Sequence, residues 1–328
     1  RGYMHGAGNT SKGIAMGGKT PTVVSCTELY NGGTFHGTLS AWSAGGALIT
    51  AVTYHASTGI QNAALKAGGA PAANTGKLTE EYDGATWSVG GASTIGREDS
   101  AGLFGSQNAA LHAGGNNPST VATSELYNGY VWSRAADMNT ARRYNVGAGT
   151  QTAGLIVGGW ISAASALTEE YNGTSWSESG DLIVNRYRFA GGGTQNAAWV
   201  AGGSGDASNV AASGSMEEYN GSAWSAGGNI INHRQHHGGT GTQNAASIMG
   251  GATPPAGSGA KTEEYDGIVW SETADMITAR SCPQGAGSQQ AALAIGGSAP
   301  SAITNTEEYN RAHSGASYLL TKKIKAQE

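Results

Sequence analysis

The distribution of apolar and polar residues along the chain repeats one short pattern. Small apolar runs such as Ala153-Gly154-Leu155-Ile156-Val157 stop at a double glycine, and the pairs recur at Gly17-Gly18, Gly68-Gly69, Gly114-Gly115, Gly158-Gly159, Gly202-Gly203, Gly250-Gly251 and Gly296-Gly297. Successive pairs lie 44 to 51 residues apart. A second marker keeps the same interval: Tyr30, Tyr82, Tyr127, Tyr171, Tyr219, Tyr265 and Tyr309, each with Glu two residues before it. Tryptophan follows the tyrosine by five residues in five copies, at Trp87, Trp132, Trp176, Trp224 and Trp270. In the first copy Trp42 takes the role after an insertion, and the seventh copy lacks a Trp.

Each copy predicts four short strands. Strand a begins near an Arg (Arg1, Arg97, Arg142, Arg186, Arg234, Arg280) and ends in a glycine-rich turn such as Gly193-Thr194-Gln195-Asn196. Strand b is the apolar run. Strand c is the Thr-Glu-Glu-Tyr segment, which leads through Asn-Gly or Asp-Gly, a strong hairpin signal, into strand d at Trp. Nothing carries the 3.6-residue period of a long amphipathic helix. Units of roughly 40 to 50 residues with four strands each read as propeller blades. The expected fold is all-β: a seven-bladed β-propeller of four-stranded antiparallel blades over residues 1–318. The blades fall near 1–45, 46–90, 91–135, 136–180, 181–227, 228–273 and 274–320, and 319–328 forms a basic tail. The first copy contains its own strand a and the last its own strand d, at Ala316 to Leu320. The ring is therefore expected to close without a strand exchanged between the chain ends.

An apolar strand ending in Gly-Gly, then Glu-x-Tyr-[Asn/Asp], then Trp, resembles the kelch repeat from Arg1 to about Tyr318, with a tighter Tyr-to-Trp spacing. The compact TEEYNGxxW phrase and its GTQNAA turn are similar to repeats of phage and marine metagenomic virion proteins. Galactose oxidase is a kelch-type propeller whose copper site needs convergent Tyr and His and a Tyr–Cys crosslink. No such set can be matched here, because Cys282 has no evident tyrosine partner.

Composition narrows the reading. The 54 glycines fall at fixed places beside Leu, Ile, Val, Tyr and Trp, which separates them from the glycine of disordered chains. A net charge of −5 argues against a nucleic-acid binder. No apolar run approaches the roughly 18 residues of a membrane span, and no secretory pattern is visible. Cys26 and Cys282 belong to no CxxC pair, and no bridge between them is expected.

In such blades the a–b and c–d turns share one face, and the b–c loops and d–a connections share the other. The turns repeat closely, whereas the b–c loops vary: Lys19 to Cys26, Asn116 to Ser124, Trp160 to Thr168, Ser204 to Met216, Ala252 to Thr262. Variable loops on a rigid scaffold mark the expected binding face. Residues just after the strand-a Arg also differ between copies: Tyr3 and His5, Tyr54 and His55, Asp99, Arg143 and Tyr144, Tyr187 and Arg188, His236 and His237. With Trp160, which opens a variable loop, they form the candidate ligand-binding set at the channel mouth, since Tyr, Arg and Trp recur at recognition hot spots. Trp199 stands where other copies have Leu and is expected in the core.

The seven glutamates two residues before Tyr are read as structural partners of the repeated Arg. The second Glu (Glu81, Glu170, Glu218, Glu264, Glu308) is expected in solvent, and Tyr and Trp between blades. His233 and His237, about 13 Å apart on a strand, are too distant for one ion, so no metal and no cofactor are expected. No hydrolase triad, P-loop or zinc-protease motif appears. The expected function is a non-catalytic binding or structural propeller: a phage virion appendage or decoration domain on the outer face of the virion. It would recognise host-surface glycan or another virion protein, with no nucleic acid and no membrane span. The alternative is a carbohydrate-active enzyme or lectin with a pocket at the channel mouth.

Overall fold

A computed structural model describes residues 5–9, 12–19, 23–31, 40–70, 76–99, 102–205, 212–253 and 257–311. The chain divides into two compact units. One, Arg1–Leu39 with Arg311–Glu328, contains a three-stranded antiparallel sheet of His5–Asn9, Lys12–Lys19 and Val23–Asn31. Its register is irregular between Met16 and Gly18, where the first double glycine falls. The other, Ser40–Asn310, holds six four-stranded sheets.

The number of blades is therefore six, not seven. Blades 1 to 5 run in chain order: their innermost strands are Ala56–Ile60, Leu103–Ser106, Val146–Thr150, Ala190–Thr194 and Gly238–Thr242. Blade 6 takes Gln284–Gly287, Ala291–Ile295 and Thr306–Arg311 from the end of the chain and Ser40–Ala44 from near its start. The innermost strands touch in a closed cycle, blade 6 against blade 1. The expectation of a ring closed without exchange is overturned too, because Ser40–Ala44 fills the outer position that Ala316 to Leu320 was expected to take. Those residues lie outside the described ones, as does the basic tail.

Within each blade the hairpins follow the local chemistry. Tyr and Trp face each other across the c–d turn, with ring centroids 4.8 to 5.1 Å apart. In blade 6 the same pair is Tyr309 and Trp42, at 5.2 Å. The Asn or Asp that opens the turn accepts two backbone N–H groups, as Asp83 does from Ala85 and Thr86 at 2.8 and 2.7 Å.

Between blades, three repeated side chains reach across the gap. The Gln of each a–b turn donates to two carbonyls of the preceding blade, one on strand b and one at the Tyr of strand c. Gln195 reaches Gly154 and Tyr171, both at 3.0 Å, and Gln61 closes the ring onto Ala292 and Tyr309. Four Trp indoles (Trp42, Trp87, Trp132, Trp224) donate to a Thr hydroxyl of the preceding strand c. Five Tyr hydroxyls donate to the second Glu of the preceding blade, as Tyr82 does to Glu308 at 2.6 Å. The second Glu is thus an inter-blade acceptor, because the next blade brings a phenol to it; Glu81, Glu170, Glu218 and Glu308 keep partial contact with solvent, and Glu264 is buried. Replacing Gln195 with alanine strands two carbonyls and is expected to cost about 1–2 kcal/mol, read as a lower urea midpoint.

The first Glu pairs with the repeated Arg, as expected: Arg97–Glu125, Arg142–Glu169, Arg186–Glu217, Arg234–Glu263 and Arg280–Glu307, all buried. The contact is not a fork on the carboxylate. One guanidinium nitrogen meets the Glu while another donates to backbone carbonyls, Gly202 and Ser215 in the case of Arg186. The remaining carboxylate capacity takes N–H groups of the incoming connection, such as Ile183 and Val184 on Glu217. These Arg side chains sit in the d–a connections, ahead of strand a rather than on it. Trp199 is fully buried, as expected.

Candidate functional site

The d–a connection of every blade runs inward over one face and then turns down into the innermost strand. The turn is made by one residue, two positions after the Arg (Val52 in blade 1): Tyr54, Asp99, Tyr144, Arg188, His236 and Cys282. All six have φ between 53° and 59°, and they are the only non-glycine residues with positive φ among those described. Left-handed backbone costs an L-residue roughly 1–2 kcal/mol, and such strain is held where the surroundings over-determine it and often where function lies. Here the ring itself supplies the constraint. Tyr144 N–H donates to Asp99 O at 2.6 Å, His236 to Arg188 O at 2.8 Å and Cys282 to His236 O at 2.7 Å. The residue just before each turn is bridged to the one after the double glycine, as Arg143 is to Trp160 and Tyr187 to Ser204.

The structure brings most of the sequence-selected residues together around this ring. Tyr54, Tyr144 and His236, from alternate blades, form a triangle with ring centroids 5.7 to 6.3 Å apart. Arg188 lies over Tyr144 at 4.9 Å and over Tyr187 at 5.0 Å. Arg143 pairs with Asp99 at 3.0 Å. Trp160 packs on Tyr187 at 4.7 Å, which ties the variable loop to the axis. Tyr187 is buried beneath them, and His55 and His237 are buried one step below the ring, His237 facing the Ala201 carbonyl at 3.1 Å. Of the other two, Tyr3 lies outside the described residues, and His5 opens the three-stranded sheet of the first unit. Nor are these positions the start of strand a, since the connection needs them for its descent.

Cys282 is the residue that sequence reasoning left out. It stands two after Arg280, as Tyr144 stands two after Arg142, and that spacing was the available signal. Its Sγ is 3.2 Å from His236 Nδ1, and its side chain also meets Tyr54. No group of three or more His, Cys, Asp or Glu capable of holding a metal occurs among the described residues.

Burial sets the protonation of the site. It pushes the Cys282 thiol up to about 11, and with Cys282 it pushes the Tyr54 phenol up to about 12. Burial, helped by Arg188, pulls His236 down to about 3. Asp99 is raised by burial against the opposing pull of Tyr144 and Arg143. At neutral pH the ring thus holds a thiol, a neutral imidazole and neutral phenols, and none of the three is poised for proton transfer near pH 7.

The space is small. The cavity among the ring side chains measures about 40 Å³, room for a water or two. Below it the channel between the innermost strands opens to about 200 Å³. Its walls are mostly glycine, Ala, Ser and Thr, with Leu103, Phe104, Val146, Phe189, His237 and Gln284 among them, and glycine is needed where strands approach closely: a Cβ on Gly285 would lie 2.4 Å from Gly239 O.

No family model matches the chain, and no curated protein matches it in sequence. A solved structure titled "Structure of YjhT" superposes with a TM-score of 0.68 at 10% identity, covering 83% of this chain and all of that one. At that identity the likeness concerns the fold alone, and it supports the β-propeller.

Proposed function

We propose that the chain is a non-catalytic binding propeller that recognises a host-surface glycan at the axial ring of its loop-bearing face, as an appendage or decoration domain of a phage virion. The observation that carries the binding site is the ring of six left-handed residues. The fold holds their strained backbone in place and fills the ring with Tyr, Arg, Asp and His rather than with glycine. Amphipathic rings and guanidinium forks suit the hydroxyls and C–H faces of sugars. Of the six ring residues only Asp99 is a carboxylate, and it is paired with Arg143, whereas glycoside hydrolysis commonly uses two, which favours binding over the alternative of a carbohydrate-active enzyme. The virion setting rests on the TEEYNGxxW and GTQNAA phrases.

A glycan array with the purified chain tests the reading, with Tyr144→Phe as the paired variant. Retention of surface glycans by the parent chain, weakened about tenfold by loss of the Tyr144 hydroxyl and its hydrogen bonds, is the expected result. A blank array, together with a map of the native particle in which this face is buried against another protein, would replace the glycan by an assembly partner. Sugar turnover by the purified chain would replace binding by catalysis.

A further inference from the structure

Resting on that reading, the geometry points to a glycan chain of two or more units as the ligand, and not to a single sugar. The first observation is the train of rings. It starts at Trp160 in the variable loop, passes the buried Tyr187 at 4.7 Å, and reaches Tyr144 at 6.1 Å from Tyr187. It ends at the axis on Tyr54 and His236, 6.2 and 6.3 Å from Tyr144. Two rings, Tyr187 and Tyr144, therefore stand between Trp160 and Tyr54, with the Arg188 guanidinium over both. A glycan that stacks on Trp160 and also reaches Tyr54 spans this train of rings.

The second observation is the axial cavity. At about 40 Å³ it admits a hydroxyl or a water but not a pyranose ring, so nothing sugar-sized can be swallowed at the axis and bound there from all sides. Affinity must come from contact spread along the platform.

The third is that Trp160 is held in place before any ligand arrives. Its N–H donates to Arg143 O at 2.7 Å, its carbonyl accepts from Arg143 N–H at 3.1 Å, and a second bridge joins it to Ala164. These are main-chain bonds that fix the backbone beneath the half-buried indole, and the indole itself packs on Tyr187 at 4.7 Å, so it loses little freedom on binding and serves as a stacking subsite. One unit of the chain stacks on Trp160, the Arg143 and Arg188 guanidinium groups meet the next, and a terminal or branching hydroxyl reaches Tyr54 and Tyr144 at the axis.

The experiment is an array carrying size-graded series, from mono- to hexasaccharide, of bacterial capsule, lipopolysaccharide-core and marine polysaccharide fragments. It is read with the full chain, Trp160→Ala and Trp160→Tyr, and thermal unfolding is followed in parallel. Signal should be absent for monosaccharides, begin at di- or trisaccharides and then level off. Trp160→Ala should lower the longer hits about tenfold with unfolding unchanged, and Trp160→Tyr should restore most of the loss. Monosaccharides bound as tightly as their oligomers, or hits indifferent to Trp160→Ala, would overturn this inference while leaving the binding function intact. An array blank at every length overturns both.

Discussion

Replacing Trp42 with alanine is expected to cost about 3–5 kcal/mol, the toll of removing a large buried aromatic side chain. The residue belongs by sequence to the first repeat copy and by structure to the last blade. Its ring packs on Tyr309 at 5.2 Å, and its indole donates to Thr262 Oγ1 at 3.1 Å and to the Ala274 carbonyl at 3.0 Å. Its strand also carries Ser43, whose Oγ donates to the Glu308 carbonyl 265 residues away. An internal blade that loses Trp224 suffers a similar local loss but keeps its neighbours on the chain. Loss of Trp42 loosens the seam that turns a row of blades into a ring. Urea unfolding should show a lower midpoint for both variants. Limited proteolysis should then cleave near Ser40–Ala44 earlier in Trp42→Ala than in Trp224→Ala. Stability within 1 kcal/mol of the parent for Trp42→Ala would mean that the ring does not depend on this strand.

The second large effect concerns the blade that breaks the ion-pair rule. Blade 1 has Val52 where the other five carry Arg, so among the described residues no guanidinium pairs with Glu80. Its cation is Lys66, from the neighbouring strand, fully buried with Nζ 3.8 Å from Glu80. Neither Lys66 Nζ nor Glu80 Oε1 finds a protein hydrogen-bond partner. Burial lowers the Lys66 pKa to about 8, against the pull of Glu80. Below pH 8 the folded state carries the cost of a buried ammonium. Between pH 8 and about 10.5 the unfolded chain holds a proton that the folded chain has released, so stability rises with pH in that window. The gain attributable to Lys66 is roughly 3 kcal/mol. The exchange Val52→Arg with Lys66→Val nearly conserves volume and rebuilds the pair found in blades 2 to 6, with the Gly68 and Leu78 carbonyls placed to accept the second nitrogen. The double variant is expected to be more stable than the parent at pH 7 by about 1–3 kcal/mol. Measured across pH 7.5 to 10.5, it should also lack the alkaline rise that the parent shows. An equal rise in both chains would place the titration elsewhere.

Much of the molecule was legible in the chain. The double glycines, the Glu-x-Tyr marker and the Trp spacing located nearly every strand of the six blades, since each marker does a local job: ending a strand, turning a hairpin, filling a gap between sheets. The Arg–Glu pairs followed from the same logic. The count failed at one place. Two irregularities, the Trp displaced by an insertion after Tyr30 and the Trp missing after Tyr309, were one fact seen twice: the outer strand of the last blade is supplied from the front of the chain. The candidate site was legible as the positions that vary after each Arg, but not as a ring. Cys282 went unselected although it stands two after Arg280, as Tyr144 stands two after Arg142. The phenol partner of the second Glu was not legible because alternation along a strand says which face a side chain takes, not what the next blade brings to that face.

The sequence by itself therefore determined the blades: the period of two along each strand, the hairpins at Asn-Gly and Asp-Gly, and the Tyr, Trp, Gln, Arg and Glu that stitch sheet to sheet. Only the tertiary structure decided how many blades close the ring, which strand seals it, and which side chains meet at the axis. The physical reason is that a strand's pattern specifies its faces and its turns but not its distant partner. Joining Ser40–Ala44 to Thr306–Arg311 is a choice between edges that look alike locally, and the entropy of closing so long a loop grows too slowly with length to forbid it.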